Sequence, residues 1–294
     1  VIEFMDVHSE GYSYLRKNPA NFRKTKVVIR SHTPWGLLRS YYSHEERRGF
    51  DGWWSFEREK YCFHNCDSIT VPSIDLKDQL ITLYNLSEEK ITVIPNIIDI
   101  HHFTPLQKPK NTRSFTILHV GRFERPKGVI TLTRAFIEFA KINKDCRLIM
   151  VGQARGSSHE HCIRLLKNAG LIEKVQFSGF VSYDDLPKYY AKADVVVVPS
   201  EIYESFSYTV AQAISCNKPV IASKIGGIPE TLDHGRCGLL FHPGKNNELF
   251  NMLSYVYENP NKVSQISNDA RDHAINNFSQ EKLAPIYKDF YQTR

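Results

Sequence analysis

The 294-residue sequence contains no run of roughly 18 consecutive apolar residues, so nothing in it reads as a membrane-spanning helix. It lacks the basic, apolar, then small-residue start of a secretory signal. No short-period repeat is present, which excludes solenoid and propeller arrays. No motif for reading DNA or RNA occurs, and the basic residues are dispersed, which argues against a nucleic acid partner. Cysteine is sparse, at six residues. In "YCFHNCDS", Cys62 and Cys66 lie one helical turn apart with His64 between them. A structural zinc site needs four ligands, usually as two spaced pairs, and no second pair follows. No metal is therefore expected, and Cys62 and Cys66 read as core or half-buried thiols. Free thiols in a chain of this size suit the cytoplasm.

What is present describes a globular chain, with 41% hydrophobic and 24% charged residues. The formal charge of +6 favours anionic partners. Phosphorylated small molecules come first among these, and the charge leaves peripheral contact with an anionic membrane face open. Residue 1 is a valine, and "VIEFMD" is already a strand, so the first domain is expected to lack its beginning. From Val1 to Asn96 the short β-rich runs "VIEFMD", "KVVIRSH", "DSITVPS" and "KITVIPN" alternate with longer amphipathic segments such as Phe56–Cys66 and Leu76–Tyr84. That alternation predicts a parallel sheet covered by helices. "TPLQKPKNTRS" is Pro- and Lys-rich without apolar periodicity and reads as a linker. Alternation then resumes with "FTILHVG", "CRLIMVG", "KVQFSG", "DVVVVPS", "KPVIAS" and "GLLFHP", and helices are expected over Leu132–Lys141, His161–Ala169 and Asp184–Ala191. The expected layout is a partial domain over 1–104, a linker over 105–114 and a complete doubly wound domain over 115–278. A C-terminal helix over 279–294, capped by Ser279, is expected to pack back on the first domain. The stretch 39–61, which holds Trp53 and Trp54, mixes aromatics with both charge signs and reads as an exposed amphipathic segment.

Ligands in open α/β sheets gather beyond the carboxyl ends of the strands, so those ends hold the candidate residues. In "ILHVGRFERPKG", Gly121 lets the chain turn out of its strand, and Arg122 and Lys127 follow on the loop. A bidentate guanidinium and a point-charge ammonium suit a diphosphate, although a solvated basic loop would look the same. In "VVVVPSEIYESFSYTVAQAIS" a helix is expected from about Ser207, and a helix start is a natural anion site. Glu204 stands just before it; a carboxylate there either binds hydroxyl groups or merely complements the helix dipole. Gln212 lies among small apolar residues, so it reaches a ligand or faces solvent. Gly226-Gly227, before Pro229, permits close ligand approach or marks an ordinary turn. "YDD", Tyr183–Asp185, reads as a helix start rather than a metal-binding acidic pair. In the first domain His8, Glu10 and His32 lie at or just past strand ends.

These segments together resemble the retaining glycosyltransferases of family 4, which have the GT-B fold of two Rossmann-like, doubly wound domains. "GRFERPKG" matches the family's G-R-x-x-x-x-K-G, and "PSEIYESFSYTVAQAISCNKPVIAS" its P-S-x-x-E-G-F-G…E-A-M-A-x-G-x-P-V-I-A-S. "GGIPE" with "GLLF", and "ITVIPNIIDIHHFTP", match further segments. The resemblance implies that Arg122 and Lys127 hold the donor diphosphate, with Gly121 at the turn. It implies that Ser205, Phe206, Ser207, Tyr208 and Thr209 surround the phosphate and sugar, and that Glu204 contacts hydroxyls of the transferred sugar. Gln212 falls where the family has an acid that holds the ribose. Glu204 sits one residue further from Pro-Ser than the family pattern has it, and Ser205 and Ser207 replace its glycines.

The implied activity is transfer of a sugar from a nucleoside-diphosphate donor to a hydroxyl-bearing glycan or lipid-linked acceptor. Retention is expected without metal or other cofactor, in bacterial cell-surface glycan or glycolipid synthesis, in the cytoplasm or on the inner membrane face. His8, Glu10 and His32 are the acceptor-side candidates; a lone histidine at a strand end is as readily structural. The competing reading is a catalytically silent protein that binds the nucleotide sugar.

Overall fold

The computed structural model describes residues 1–41, 49–108, 114–154 and 156–293. The chain divides into two compact units, one formed by 1–96, 202–206 and 281–293, the other by 97–201 and 207–280.

The first unit carries strands β1 (Ile2–Met5), β2 (Val27–Arg30), β3 (Ser68–Val71) and β4 (Ile91–Val93). They form one parallel sheet in the order β1-β2-β3-β4. β2 and β3 are buried along their whole length, as β-branched strands covered on both faces must be. The helices are α1 (Tyr12–Lys17), α2 (Trp35–Leu38), α3 (Phe50–Asn65) and α4 (Ile74–Tyr84). The hydroxyl of Ser73 caps α4 by accepting from the Leu76 amide, and Asn85 closes it in the left-handed region. Val27, Ile29, Phe63, Ile69, Leu80 and Tyr84 centre this core. Cys62 and Cys66 are buried in it as free thiols, and His64 turns its Nε2 to the Tyr84 carbonyl. Of the stretch 39–61, residues 42–48 lie outside the described residues; Phe50 and Trp53 are exposed on α3.

The second unit carries β5 (Phe115–Val120), β6 (Cys146–Val151), β7 (Val175–Phe177), β8 (Val195–Val198), β9 (Val220–Ser223) and β10 (Leu239–Phe241). All pair in parallel, in the order β10-β9-β8-β5-β6-β7. The chain winds from β5 outward to β7, returns to β8 on the other side, and winds outward again. The order therefore reverses between β5 and β8. Its helices are α5 (Val129–Ile142), α6 (Ser158–Asn168), α7 (Leu186–Lys192), α8 (Tyr208–Ser215), α9 (Ile228–Thr231), α10 (Asn246–Glu258) and α11 (Pro260–Phe278). Tyr183–Asp185 forms a 3-10 turn ahead of α7, with Ser182 as its cap. Leu132, Phe136 and Phe139 of α5 pack with Leu253 of α10 over Leu148 and Val197 of the sheet. Helix α12 (Gln280–Thr293) follows. Its Tyr287 hydroxyl donates to the Pro95 carbonyl at 2.9 Å, and Phe290 packs on Val28 and Ile94.

The first unit ends at Asn96 rather than at 104. The reason is local bonding: the Ile98 amide donates to the Phe278 carbonyl at 2.8 Å, and the Lys108 ammonium pairs with Asp194 at 2.6 Å. Half of the segment read as a linker is thus held by the second unit, and its residues 109–113 lie outside the described residues. Among the described residues no helix is long and apolar enough to cross a membrane.

Candidate functional site

A ligand crevice in a wound sheet forms where strand order reverses, outside the carboxyl ends. In the second unit that point lies between β5 and β8, and the two segments singled out by sequence, "GRFERPKG" and "PSEIYESFS", follow those two strands. Four features join them. Gly128, at φ +68°, packs so close to Pro199 that a Cβ would lie 1.7 Å from its carbonyl oxygen. The Glu201 amide donates to the Pro126 carbonyl at 2.8 Å. The Thr131 hydroxyl donates to Glu201 Oε1 at 2.5 Å. Finally, the Thr209 hydroxyl, in the first turn of α8, donates to the Val120 carbonyl at the end of β5 at 3.2 Å. The basic loop and the opening turn of α8 are therefore held together within one unit.

Helix α8 begins as expected. Ser207 caps it, accepting from the Val210 amide through its side chain, while its carbonyl accepts from Ala211. The amides of Tyr208 and Thr209 lie in the first turn, too early for i−4 bonds within the helix, at the positive end of its dipole. Lys127 is half-buried at the end of a 3-10 turn over Arg125–Lys127. Arg122 is paired with Glu124 at 2.7 Å, which the sequence reading did not anticipate. The Arg122 side chain is 50% exposed, and an ion pair so placed is worth about 0–1 kcal/mol.

Gln212 is half-buried, and its Oε1 accepts from the hydroxyl of fully buried Tyr190 at 2.9 Å. Its carbonyl side is thus already engaged, and the amide nitrogen is what remains to meet a ligand. Glu204, Ser205 and Phe206 fall elsewhere: they belong to 202–206, which packs with the first unit. Tyr203 anchors that segment by donating from its hydroxyl to Asp75 at 2.5 Å. Ser205 and Phe206 are buried and Glu204 is half-buried.

His119 escaped the sequence reading. It sits on β5 two residues before Gly121, is 2% exposed, and bonds through Nδ1 to the Val197 carbonyl at 3.1 Å. A carbonyl only accepts, so Nδ1 carries the hydrogen. Nε2 then offers a lone pair that has no partner among the described residues. Burial first, and the charge of Lys127 second, hold this imidazole down at about 4, so it is neutral at physiological pH. The available signal was a polar residue inside an otherwise apolar strand.

In the first unit a cavity of about 350 Å³ is lined by His8, Ser9, Thr33, Trp35, Ser55 and Glu59, among others. Of the three acceptor-side candidates only His8 reaches it, held at φ 56°. Glu10 instead accepts from the Met5 amide at 3.3 Å. Burial and the Arg30 charge lower His32 to about 4, and its amide donates to Asp6 at 3.0 Å. Two buried carboxyls were missed. Asp6 is raised to about 6 by burial, against the Ser31 hydroxyl and the His32 amide. Glu59 is raised to about 7 by burial, although it accepts from the Tyr84 hydroxyl and from the amides of Gly36 and Trp35. Both sit at positions with no motif around them.

The family described as Glycosyl transferases group 1 matches residues 103–273, and that described as Glycosyltransferase Family 4 matches residues 3–102. The chain belongs to the group 1 glycosyltransferase family. An uncharacterized glycosyltransferase of Methanocaldococcus jannaschii is 30% identical over 241 residues, covering 78% of this chain and 60% of that protein. A D-inositol 3-phosphate glycosyltransferase of Arthrobacter sp. is 28% identical, covering 72% of this chain and 52% of that protein. The chain thus spans between half and three-fifths of the length of these relatives. Among solved structures, a sucrose-phosphate synthase of Thermosynechococcus elongatus superposes with a TM-score of 0.85 at 24% identity, over 99% of this chain and 73% of that one. The Anabaena protein HepE, solved with UDP and glucose, gives 0.80 at 22% identity, over 92% and 72%. These likenesses show the GT-B fold of two parallel-sheet α/β domains, the first one small.

Proposed function

We propose that the chain is a glycosyltransferase that binds a nucleoside-diphosphate sugar at the strand-order reversal of its second unit. It passes the sugar to a hydroxyl acceptor with retention of configuration. The observation that carries this is the joining of the Arg122–Lys127 loop to the first turn of α8, through Thr209 to Val120 and Glu201 to Pro126. The chemical demand is to stabilise a departing diphosphate, and preorganised positive charge there does so without reorganising during the reaction. Arg122 supplies a fork, Lys127 a point charge, and the amides of Tyr208 and Thr209 the dipole end of α8. The bond from the anomeric carbon to the phosphate oxygen breaks, and a bond to the acceptor oxygen forms on the same face. The acceptor proton passes to the leaving phosphate oxygen, so no general base is assigned. The cationic side chains take the part that a metal would otherwise fill, and a glycan or lipid-linked hydroxyl is the acceptor class.

A second reading has its own observation. Gln212 lacks the charge of the family's acid and already accepts from Tyr190, which favours a protein that binds the nucleotide sugar without turning it over. Incubation of the protein with UDP-, GDP- and ADP-sugars, with nucleotide release measured, separates the two. Release that depends on one donor supports the transferase. Nucleotide binding without release from any donor supports the silent protein.

A further inference from the structure

We propose that Asp233, Cys237 and His273 form a zinc-binding site at the amino edge of the second unit's sheet. The three residues come from separate elements: a turn after α9, the approach to β10, and the middle of α11. One ligand atom from each lies within 4.8 Å of those of the other two. Two ligands on a tetrahedral zinc stand about 3.5 Å apart, given bonds of about 2.0–2.3 Å, so the trio closes on an ion with side-chain movements of about an ångström.

The chemistry of the donor set narrows the ion. A thiolate, an imidazole and a carboxylate together suit zinc, whereas calcium and magnesium take oxygen ligands. Three protein ligands leave a fourth position for water. Cys237 is 4% exposed, while Asp233 and His273 are half-buried, so the cluster is walled by protein yet reachable. The His273 ring meets the Asn277 side-chain amide through Nδ1 at 3.1 Å, and its Nε2 is buried. Asp233 does carry an ion pair, from Arg236 to its Oδ1 at 2.7 Å. The Arg236 side chain is 79% exposed, so the pair is weak, and a carboxylate has a second oxygen to offer.

The position separates this site from the donor crevice. Cys237 stands two residues before β10 begins, whereas Arg122 and Ser207 follow β5 and β8, and all these strands run parallel. The ion would sit at the opposite end of the sheet and act by tying α11 to the turn before β10. The cysteine–histidine grouping visible in the sequence, Cys62–His64–Cys66, is not this site; the fold assembles one from residues forty positions apart.

The test is equilibrium dialysis of the purified chain, stripped with EDTA, against zinc chloride, with thermal melts alongside. One equivalent should bind and raise the melting temperature, since an ion that binds only the folded state stabilises it. Cobalt in place of zinc should give a thiolate charge-transfer band that Cys237→Ser removes. Cys237→Ser and His273→Gln should each weaken zinc binding at least about tenfold, about 1.4 kcal/mol. Circular dichroism confirms that the variants fold, and Asp233→Asn provides a third if either does not. No stoichiometric binding by the wild-type chain, or equal binding by the folded variants, overturns the proposal.

Discussion

The environment of His119 makes a sharp demand on this molecule. Its imidazole is buried within β5 with its pKa held at about 4, below the ordinary 6.5, so the fold favours the neutral form. A folded-state value below the unfolded one means that acid favours unfolding. The stability of the second unit should therefore be unaffected above pH 6.5 and should fall as pH drops from 6.5 towards 4, by a few kcal/mol from this group. Denaturant melts of the wild type and of His119→Phe, from pH 7.5 to 4, check this. The wild type should lose more stability than the variant across that window, and parallel losses would show that His119 is not the cause. Asp6 and Glu59 work in the opposite sense. Their carboxyls are raised to about 6 and about 7, so their contribution is present below pH 4 and is lost as pH rises through those values. His119 shows in the sequence only as a polar residue inside an apolar strand, and the titration of all three could not be read there, because each owes its behaviour to what surrounds it in space.

At the scale of elements, the loop after β5 is fixed by a glycine that no other residue replaces. Gly128 and Gly170 share almost the same backbone angle, φ +68° and +67°, but differ in room. A Cβ on Gly128 would meet Pro199 backbone at 1.7 Å, while one on Gly170 meets nothing within 4 Å. Gly170→Ala should cost only the left-handed strain, about 1 kcal/mol. Gly128→Ala must in addition push apart the loops that follow β5 and β8, and should cost at least about 2 kcal/mol more. Thermal or urea melts of both variants decide the matter; equal losses would mean that the two loops are not tightly joined. The strands on either side were legible because buried parallel strands demand β-branched runs, as in Val195–Val198. Helix α8 was legible because Ser207 is a natural cap. What could not be read was the bonding between loops, such as Glu201 to Pro126, which arises only when strands distant in sequence become neighbours.

For the whole molecule, the layout of two wound sheets and the family motifs were both visible in the residue string. The motif positions did fall at the strand-order reversal, since chain order alone dictates which loops follow which strands. The grouping of 202–206 with the first unit was not visible, because it depends on Tyr203 finding Asp75, 128 positions away. The same holds for Gln212 and Tyr190. The functional account rests on one assignment, that Arg122 and Lys127 together receive a diphosphate. Calorimetric titration of the chain with UDP, GDP and ADP, repeated with Arg122→Ala and Lys127→Ala, tests it most directly. One nucleotide should bind the wild type, and each substitution should weaken that binding at least tenfold, as loss of a charge-assisted bond of about 1.5–3 kcal/mol requires. Unchanged affinity in both folded variants, or no binding of any of the three nucleotides by the wild type, would contradict the account.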